Sequence, residues 1–295
     1  MDVLVTGGDG FVGRNLCDEL AERGHDVTAL SRDPDPSVFE ADVDTAVGDV
    51  TAYDSMVGAF EGRDAVVNLV ALSPLFQPSG GDEQHFEIHL GGTENAVRAA
   101  EEHGVERFVQ MSALGADPDG PTAYIRSKGE AEGVVRDSGL GWTIFRPSVV
   151  FGEGGEFVSF TKQLTPPYLA PLPRGGRTRF QPIWIGDLAP MLADGVTEGG
   201  HTGETCEIGG PAVLTLADVA KLAYRAEGKS VSIAPVPMAL TKLGMGLVDP
   251  LPLIPFGADQ ARSLEMDNTV ADNDVAAFGR DVGDLRSLAD YLGVA

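Results

Sequence analysis

Tyr124 and Lys128, in the run Tyr124-Ile125-Arg126-Ser127-Lys128, place a phenol and an ammonium four residues apart, which puts both on one face of a helix about one turn from each other. The pair suits proton transfer. A free tyrosine titrates near pH ~10, so a phenol acting at neutral pH needs its anion stabilised by about 4 kcal/mol, roughly three pKa units. An adjacent ammonium supplies much of that. Ser112 closes the apolar run 107–112; at the carboxyl edge of an open α/β sheet, where ligands bind, its hydroxyl can hold a substrate oxygen beside Tyr124. Each of the three also has an ordinary structural use, the Tyr and Lys as one turn of an amphipathic surface helix and the Ser as a cap or loop start. Their order, Ser then Tyr then Lys, gains chemical meaning from what lies upstream.

Upstream, Val3-Leu4-Val5 runs into Thr6-Gly7-Gly8-Asp9-Gly10-Phe11-Val12-Gly13 and then a helical stretch from Asn15 to Arg23. The glycines read as Gly7-x-x-Gly10-x-x-Gly13 or as Gly8-x-Gly10-x-x-Gly13. Such a loop grips a dinucleotide: glycine lets backbone N–H groups approach a pyrophosphate, and the positive end of the helix favours its charge. A second strand, Asp26 to Leu30, follows Arg23-Gly24-His25, so the strand–loop–helix–strand frame of the fingerprint is complete. A turn needed only for packing is the alternative. An oxidised nicotinamide ring beside Tyr124 would add its positive charge to that of Lys128. At the end of the second strand stands Ala29-Leu30-Ser31-Arg32, with no carboxylate where a ribose 2′-OH would be read and a guanidinium able to pair with a 2′-phosphate. NADP(H) is therefore favoured. NAD(H) is the alternative, because a small backbone shift brings Asp33 to the ribose.

The elements that must position these groups alternate through the first half of the chain. Residues 46–49, 65–71, 107–112 and 142–147 read as buried strands; 53–60, 92–103 and 123–138 read as helices, with apolar spacing at Ala96, Val97, Ala99 and Ala100. This alternation predicts the α/β class, a Rossmann-type doubly wound parallel sheet with a smaller C-terminal substrate lobe. After Gly152 the texture changes, with Pro166, Pro167, Pro171, Pro173 and an Arg174-Gly175-Gly176-Arg177 turn. Residues 178–185 read as a strand, Gly186-Asp187 as the lead into a short helix, and 204–208 as a last strand for the main sheet. Thr215 caps a helix over 216–227 with Asp218 in its first turn. The expected division is a nucleotide-binding domain over 1–151 with a returning segment near 186–210, and a substrate-side lobe over 152–185 and 211–295.

Composition narrows the function classes. Asp and Glu number 45 against 21 Lys and Arg, a net charge of −24 spread along the chain. Phosphate contacts need clustered cations, so nucleic acid is excluded as a partner and a small-molecule substrate is expected. Abundant acid and scarce lysine fit a halophilic protein that stays hydrated in concentrated salt, where screening removes self-repulsion. Cys17 and Cys206 are the only cysteines, too few for a disulfide framework or a zinc site, so no metal is expected. The chain starts directly in a strand with no secretory leader and reads as cytoplasmic. The apolar stretch 236–256 carries Lys242, Asp249 and four prolines, which rule it out as a transmembrane segment. It reads as a helix and loop over the lobe, with a lid for an apolar substrate or a peripheral contact with a membrane or a complex as alternatives.

Taken together the motifs resemble the short-chain dehydrogenase/reductase superfamily, in its extended or atypical NAD(P)-dependent epimerase/dehydratase branch. The resemblance spans nearly the whole length. It rests on residues 6–13, Gly48-Asp49-Val50, Asn68-Leu69-Val70-Ala71-Leu72, Gly92-Thr93-Glu94-Asn95, Ser112-Ala113, the Tyr124 to Lys128 motif, and Arg146-Pro147-Ser148-Val149-Val150-Phe151-Gly152. Tyr-Ile-Arg-Ser-Lys at 124–128 and Gln181-Pro182-Ile183-Trp184-Ile185-Gly186-Asp187 look most like the group of the complex I 39-kilodalton accessory subunit. Membership implies a bound NAD(P)(H), Tyr124 as acid/base, Lys128 on the nicotinamide ribose and Ser112 orienting substrate. It also implies coenzyme contacts from Gly7, Gly8, Gly10, Phe11, Val12, Gly13, Ser31, Arg32, Asp49, Val50, Leu69, Val70, Ala71, His89, Lys128, Pro147 and Val149. His89 departs from the pattern, standing where extended members carry an asparagine. The segment between Ser112 and Tyr124 is short for a sugar epimerase. Two functions follow: an oxidoreductase or epimerase acting on a carbinol or carbonyl, with a tilt towards apolar substrates, or a non-catalytic NADP(H)-binding accessory subunit or redox sensor of a membrane-associated complex.

Overall fold

A computed structural model describes residues 1–236, 258–263 and 265–295. The apolar stretch discussed above lies, after Val236, outside the described residues. Seven strands form one parallel sheet: β1 (Asp2–Thr6), β2 (Asp26–Ser31), β3 (Asp44–Val47), β4 (Ala65–Asn68), β5 (Arg107–Met111), β6 (Gly141–Pro147) and β11 (Glu204–Ile208). Their order is β11-β6-β5-β4-β1-β2-β3, with every neighbouring pair parallel. The chain starts at the centre, winds outward on one side through β2 and β3, then crosses back to build the other side from β4. The reversal of direction lies between β1 and β4, the switch point at which such sheets open a crevice for ligands. Central strands are apolar on both faces because helices cover both; Val3, Leu4, Val5, Val66 and Val67 are fully buried. This is the Rossmann-type sheet that the strand–helix alternation predicts.

The chain divides into two compact units. The first comprises Met1–Leu72, Pro78–Pro147 and Ile185–Ile208. Its helices are α1 (Phe11–Glu22), the single turns α2 (Tyr53–Met56) and α3 (Glu83–His85), then α4 (Gly92–Glu102), α5 (Ala123–Asp137) and, later in the chain, Ile185–Thr197. Leu4, Phe60, Val66, Ala96, Phe108 and Ile144 belong to one packed core beneath the sheet. The Ile185–Thr197 helix is joined to α1 by Arg23, whose guanidinium meets Asp194 at 2.6 Å and donates to the Pro190 carbonyl at 3.2 Å.

The second unit comprises Ser73–Gln77, Ser148–Trp184 and Gly209–Ala295. It is built from paired short strands, β7 (Val150–Phe151) with β10 (Ile183–Trp184), β8 (Tyr168–Pro173) with β13 (Val231–Val236), and β9 (Arg179–Phe180) with β12 (Leu214–Thr215). Helix α6 (Phe157–Leu164) follows β7; with Ile185–Thr197 counted as α7, α8 (Leu216–Ala226) follows β12. Phe151, Phe157, Leu172, Phe180 and Val219 form its core. Thr215 and Asp218 cap α8 reciprocally, each side chain accepting the other's backbone N–H.

Several elements differ from the sequence expectation: β4 ends at Asn68 and not at residue 71, and α1 begins at Phe11 and not at Asn15. The strand expected over 178–185 is two dipeptides either side of Gln181-Pro182, pairing with different partners, and α7 begins at Ile185; a proline without an N–H interrupts the ladder. The helix expected over 53–60 tightens to a 3-10 turn from Val57 to Phe60. The third strand lies at 44–47, earlier than 46–49, because an edge strand only partly buried carries a weak apolar signal.

Candidate active site

The glycine loop is built tightly enough to require its composition. Gly7 has φ +72 and donates its N–H to the Leu30 carbonyl at 2.8 Å, pinning the loop to the end of β2. A Cβ at Gly8 would lie 2.6 Å from the Cβ of Ala29, and one at Gly13 would lie 2.2 Å from the Gly7 carbonyl oxygen. Both contacts are impossible for a side chain. Gly10 is the N-cap of α1, with no side-chain cap and no acid in the first helical turn. The first N–H groups of a 12-residue helix therefore face outward without a competing carboxylate from that turn. These features fit a diphosphate, which Gly7, Gly8, Gly10, Phe11, Val12 and Gly13 would cradle.

The other expected contact residues gather at the same carboxyl ends. Ser31 ends β2 and exposed Arg32 follows it. After β3, Gly48 donates to the Ser31 carbonyl at 2.9 Å. Asp49 then closes an Asx turn on Thr51, and the buried Val50 gives its carbonyl to the Asn95 amide at 2.7 Å. Leu69, Val70 and Ala71 leave β4; Leu69 donates to the Thr6 carbonyl, and Val70 backs Gly7. Pro147 ends β6. Val149 belongs to the second unit, where its N–H donates to Asn268 Oδ1 at 2.9 Å. A buried polar row crosses the strand ends, Thr6 Oγ1 donating to Asn68 Oδ1 at 2.6 Å and Asn68 Nδ2 to Gln110 Oε1 at 2.9 Å.

Helix α5 carries Tyr124 and Lys128 to this edge. Thr122 caps it, and Glu132, fully buried, receives a two-pronged hydrogen bond from Arg146 on β6 at 2.8 and 2.6 Å plus one from Arg136 at 2.7 Å. That fork fixes α5 against the sheet. The 113–121 loop presses onto the helix where a Cβ at Gly129 would meet Asp117 at 2.4 Å. Lys128 is 2% exposed, and its Nζ donates to the Met111 carbonyl at 3.1 Å, directly before Ser112. Ser112 is buried, and its Oγ has no hydrogen-bond partner among the described residues. An unpartnered buried hydroxyl is costly unless a ligand completes it.

Electrostatics corrects one expectation. Tyr124 is half-buried, and burial around its phenol pushes the pKa up to about 12, not down. Burial is also the larger influence on Lys128, lowering its ammonium to about 8 against the opposing pull of Glu132. Desolvation penalises both charged forms, and sequence spacing carries no information about it.

Sequence reasoning missed His85, and it did not foresee that His89 packs against Tyr124. Its ring meets His85 and His89 edge-on, at centroid distances of 5.7 and 5.3 Å. His89 lies in a π-helical turn, Phe86–Gly91, that interrupts the run from α3 into α4. Its Nε2 accepts the Leu72 N–H at 2.9 Å, so the proton resides on Nδ1 and is donated to Ser127 Oγ at 2.9 Å. Ser127 in turn donates to the Tyr124 carbonyl at 2.9 Å. Burial, with Lys128 adding to it, holds His89 far below the ordinary imidazole range and therefore neutral. His85 stands four residues before His89, a spacing that could have flagged it. At and just before the start of β11, His201, Glu204 and Cys206 bring possible ligand atoms within 4.8 Å of one another; His201 Nδ1 lies 3.6 Å from the Glu204 carboxylate.

A glycine turn opening an uncapped helix at the switch point of a parallel sheet defines a dinucleotide-binding protein. A family described as NAD(P)H-binding matches residues 7–166, more than half the chain, and the protein belongs to it. Among curated relatives, the chain is 27% identical over 288 residues to the mitochondrial NADH dehydrogenase [ubiquinone] 1 alpha subcomplex subunit 9 of Arabidopsis thaliana, covering 91% of this chain and 71% of that one. It is 32% identical over 200 residues to the 2-alkyl-3-oxoalkanoate reductase of Stenotrophomonas maltophilia, covering 61% and 58%. Among solved structures, a nucleoside-diphosphate-sugar epimerase from Staphylococcus aureus superposes with a TM-score of 0.77 at 19% identity, covering 99% of both chains. That likeness establishes the fold.

Proposed function

We propose that this protein is an NAD(P)(H)-dependent oxidoreductase acting on a carbonyl or carbinol carbon, with Tyr124 as the acid/base group. The observation that carries it is the buried, unpartnered Ser112 Oγ one residue after the carbonyl that binds Lys128, on the edge to which α5 brings Tyr124. When bound, the nicotinamide supplies the two-electron chemistry. Ser112 orients the substrate oxygen by donating to it. Tyr124, whose burial keeps the phenol protonated at neutral pH, gives its proton to the oxygen as negative charge develops there, the direction of carbonyl reduction. Lys128 offers its remaining N–H bonds to the nicotinamide ribose. Leu72 to Ser127 to Tyr124, linked through His89, holds the helix turn that carries the phenol.

A ketone with alkyl substituents is the favoured substrate class, supported by the reductase relative and by the paucity of charge over residues 166–173. Of the coenzymes, Arg32 supports NADP(H), and the neighbouring Asp33 weighs for NAD(H). A scaffold role draws support from the alignment of 91% of the chain with a subunit named for NADH dehydrogenase. Incubating the purified protein with reduced coenzyme and a panel of apolar and sugar ketones separates the two. Coenzyme oxidation that Tyr124→Phe lowers by about 100-fold or more while binding persists is the expected result. Binding without turnover on every substrate overturns the enzyme in favour of the scaffold.

A further inference from the structure

The glycine loop carries a carboxylate at its tip. Asp9, between Gly8 and Gly10, is half-buried, and its Oδ2 accepts the hydroxyl proton of Ser31 at 2.7 Å. Ser31 is the last residue of β2, the place from which dinucleotide-binding sheets present the acid that reads the adenosine ribose. One step earlier the Gly7 N–H is bonded to the Leu30 carbonyl at 2.8 Å. Two hydrogen bonds thus hold the loop against the strand end. A carboxylate from the first loop stands where the second strand has none of its own.

We infer that Asp9 is the coenzyme-selecting residue of this chain, its Oδ1 accepting the ribose hydroxyls, and that the protein takes NAD(H) in preference to NADP(H). The assignment rests on the dinucleotide reading above. Oδ1 accepts no hydrogen bond among the described residues, so a ribose 2′-OH can donate to it without displacing Ser31. A 2′-phosphate has no proton to offer there at neutral pH and meets a fixed negative charge instead. Ser31 cannot compensate, because its single hydroxyl proton is committed to Asp9 and only lone pairs remain for an anion. Arg32 opposes this with one guanidinium. It is exposed, has no partner among the described residues and would have to be ordered from solvent, where screening weakens its attraction. The held carboxylate wins over the free cation.

Asp9 also staples the loop to Ser31, and a staple alone needs only one oxygen. Asp9→Asn keeps that oxygen and removes the charge, so it separates the two roles. Calorimetric titration of the intact chain with NADH and NADPH, in one salt, supplies the readout. The wild type should bind NADH about tenfold or more tighter than NADPH, and Asp9→Asn should shift the ratio of the two affinities towards NADPH by about tenfold or more, with an unchanged melting temperature. Arg32→Ala should weaken NADPH and leave NADH within about twofold. A wild-type preference for NADPH, or a ratio unmoved by Asp9→Asn, overturns the assignment while leaving the dinucleotide site intact. Binding of neither coenzyme at millimolar concentration overturns both.

Discussion

Lys128 shows what a buried ammonium costs the fold. Its ammonium is buried against one carbonyl, and desolvation lowers its pKa from 10.5 to about 8. Between those values the unfolded chain keeps a proton that the folded chain has shed, so stability rises with pH from about 8 towards 10.5. Over the whole window the relief amounts to about 3 kcal/mol. Below pH 8 the full cost of burying the charge is present. Lys128→Met, similar in length and uncharged, should therefore be more stable than the wild type by about 1–3 kcal/mol at pH 7. The two should converge by pH 10, and the variant should lose turnover. Urea midpoints of both proteins at pH 7, 8.5 and 10 measure this; a variant that is no more stable at pH 7 removes the argument that burial governs this lysine. The phenol of Tyr124 is pushed up to about 12 by the same cause, so its acidity in the free protein is set by burial.

At the scale of elements, the junction of β1 and α1 leaves no room for a side chain at its glycines. A methyl at Gly13 would meet backbone atoms of Gly7 and Gly8 at 2.2 and 2.7 Å, and backbone cannot yield without moving the loop. Gly13→Ala should destabilise by about 2 kcal/mol or more and abolish coenzyme binding. Gly133, inside α5 with nothing within 4 Å of an added Cβ, is the contrast. Gly133→Ala should stabilise by about 0.5–1 kcal/mol through helix propensity alone. Thermal melts and coenzyme titrations of the pair test both signs. The same junction marks what was legible in the sequence. Its glycines, the alternation that yields the seven-stranded sheet and the return of 204–208 as β11 are local patterns, and local patterns survive in one dimension. The pairing of Arg179–Phe180 with β12 and of Ile183–Trp184 with β7 is not local, so one expected strand became two. Asp9 stands in the most conspicuous motif of the chain, yet its meaning depends on Ser31, 22 residues away. The inward turn of His89 comes from a π-helical step that no apolar period announces.

At the scale of the whole molecule, charge is the dominant feature. Even if every Lys and Arg took one acid as partner, 24 acids would have none. The ion pairs in the described structure are mostly solvent-facing, among them Arg98–Glu102 and Arg179–Asp267, and each such pair contributes about 0–1 kcal/mol. Screening them loses little. Screening the excess acids gains more, because repulsion among unpaired charges acts over a Debye length that falls from about 10 Å at 0.1 M to about 3 Å at 1 M salt. The acidic balance thus points to a protein whose stability grows with salt, with an expected rise in melting temperature of about 3–5 °C, or ~2–3 kcal/mol, between 0.1 and 3 M KCl. Two causes of such a rise have different shapes. Charge screening is nearly complete by about 1 M, whereas the strengthening of apolar burial by excluded salts continues to grow with concentration. A melting curve series in KCl that climbs steeply and then flattens near 1 M assigns the effect to the acids; a flat or falling series removes the salt adaptation, since a chain with this charge can gain nothing from screening only if its acids do not repel one another in the folded state.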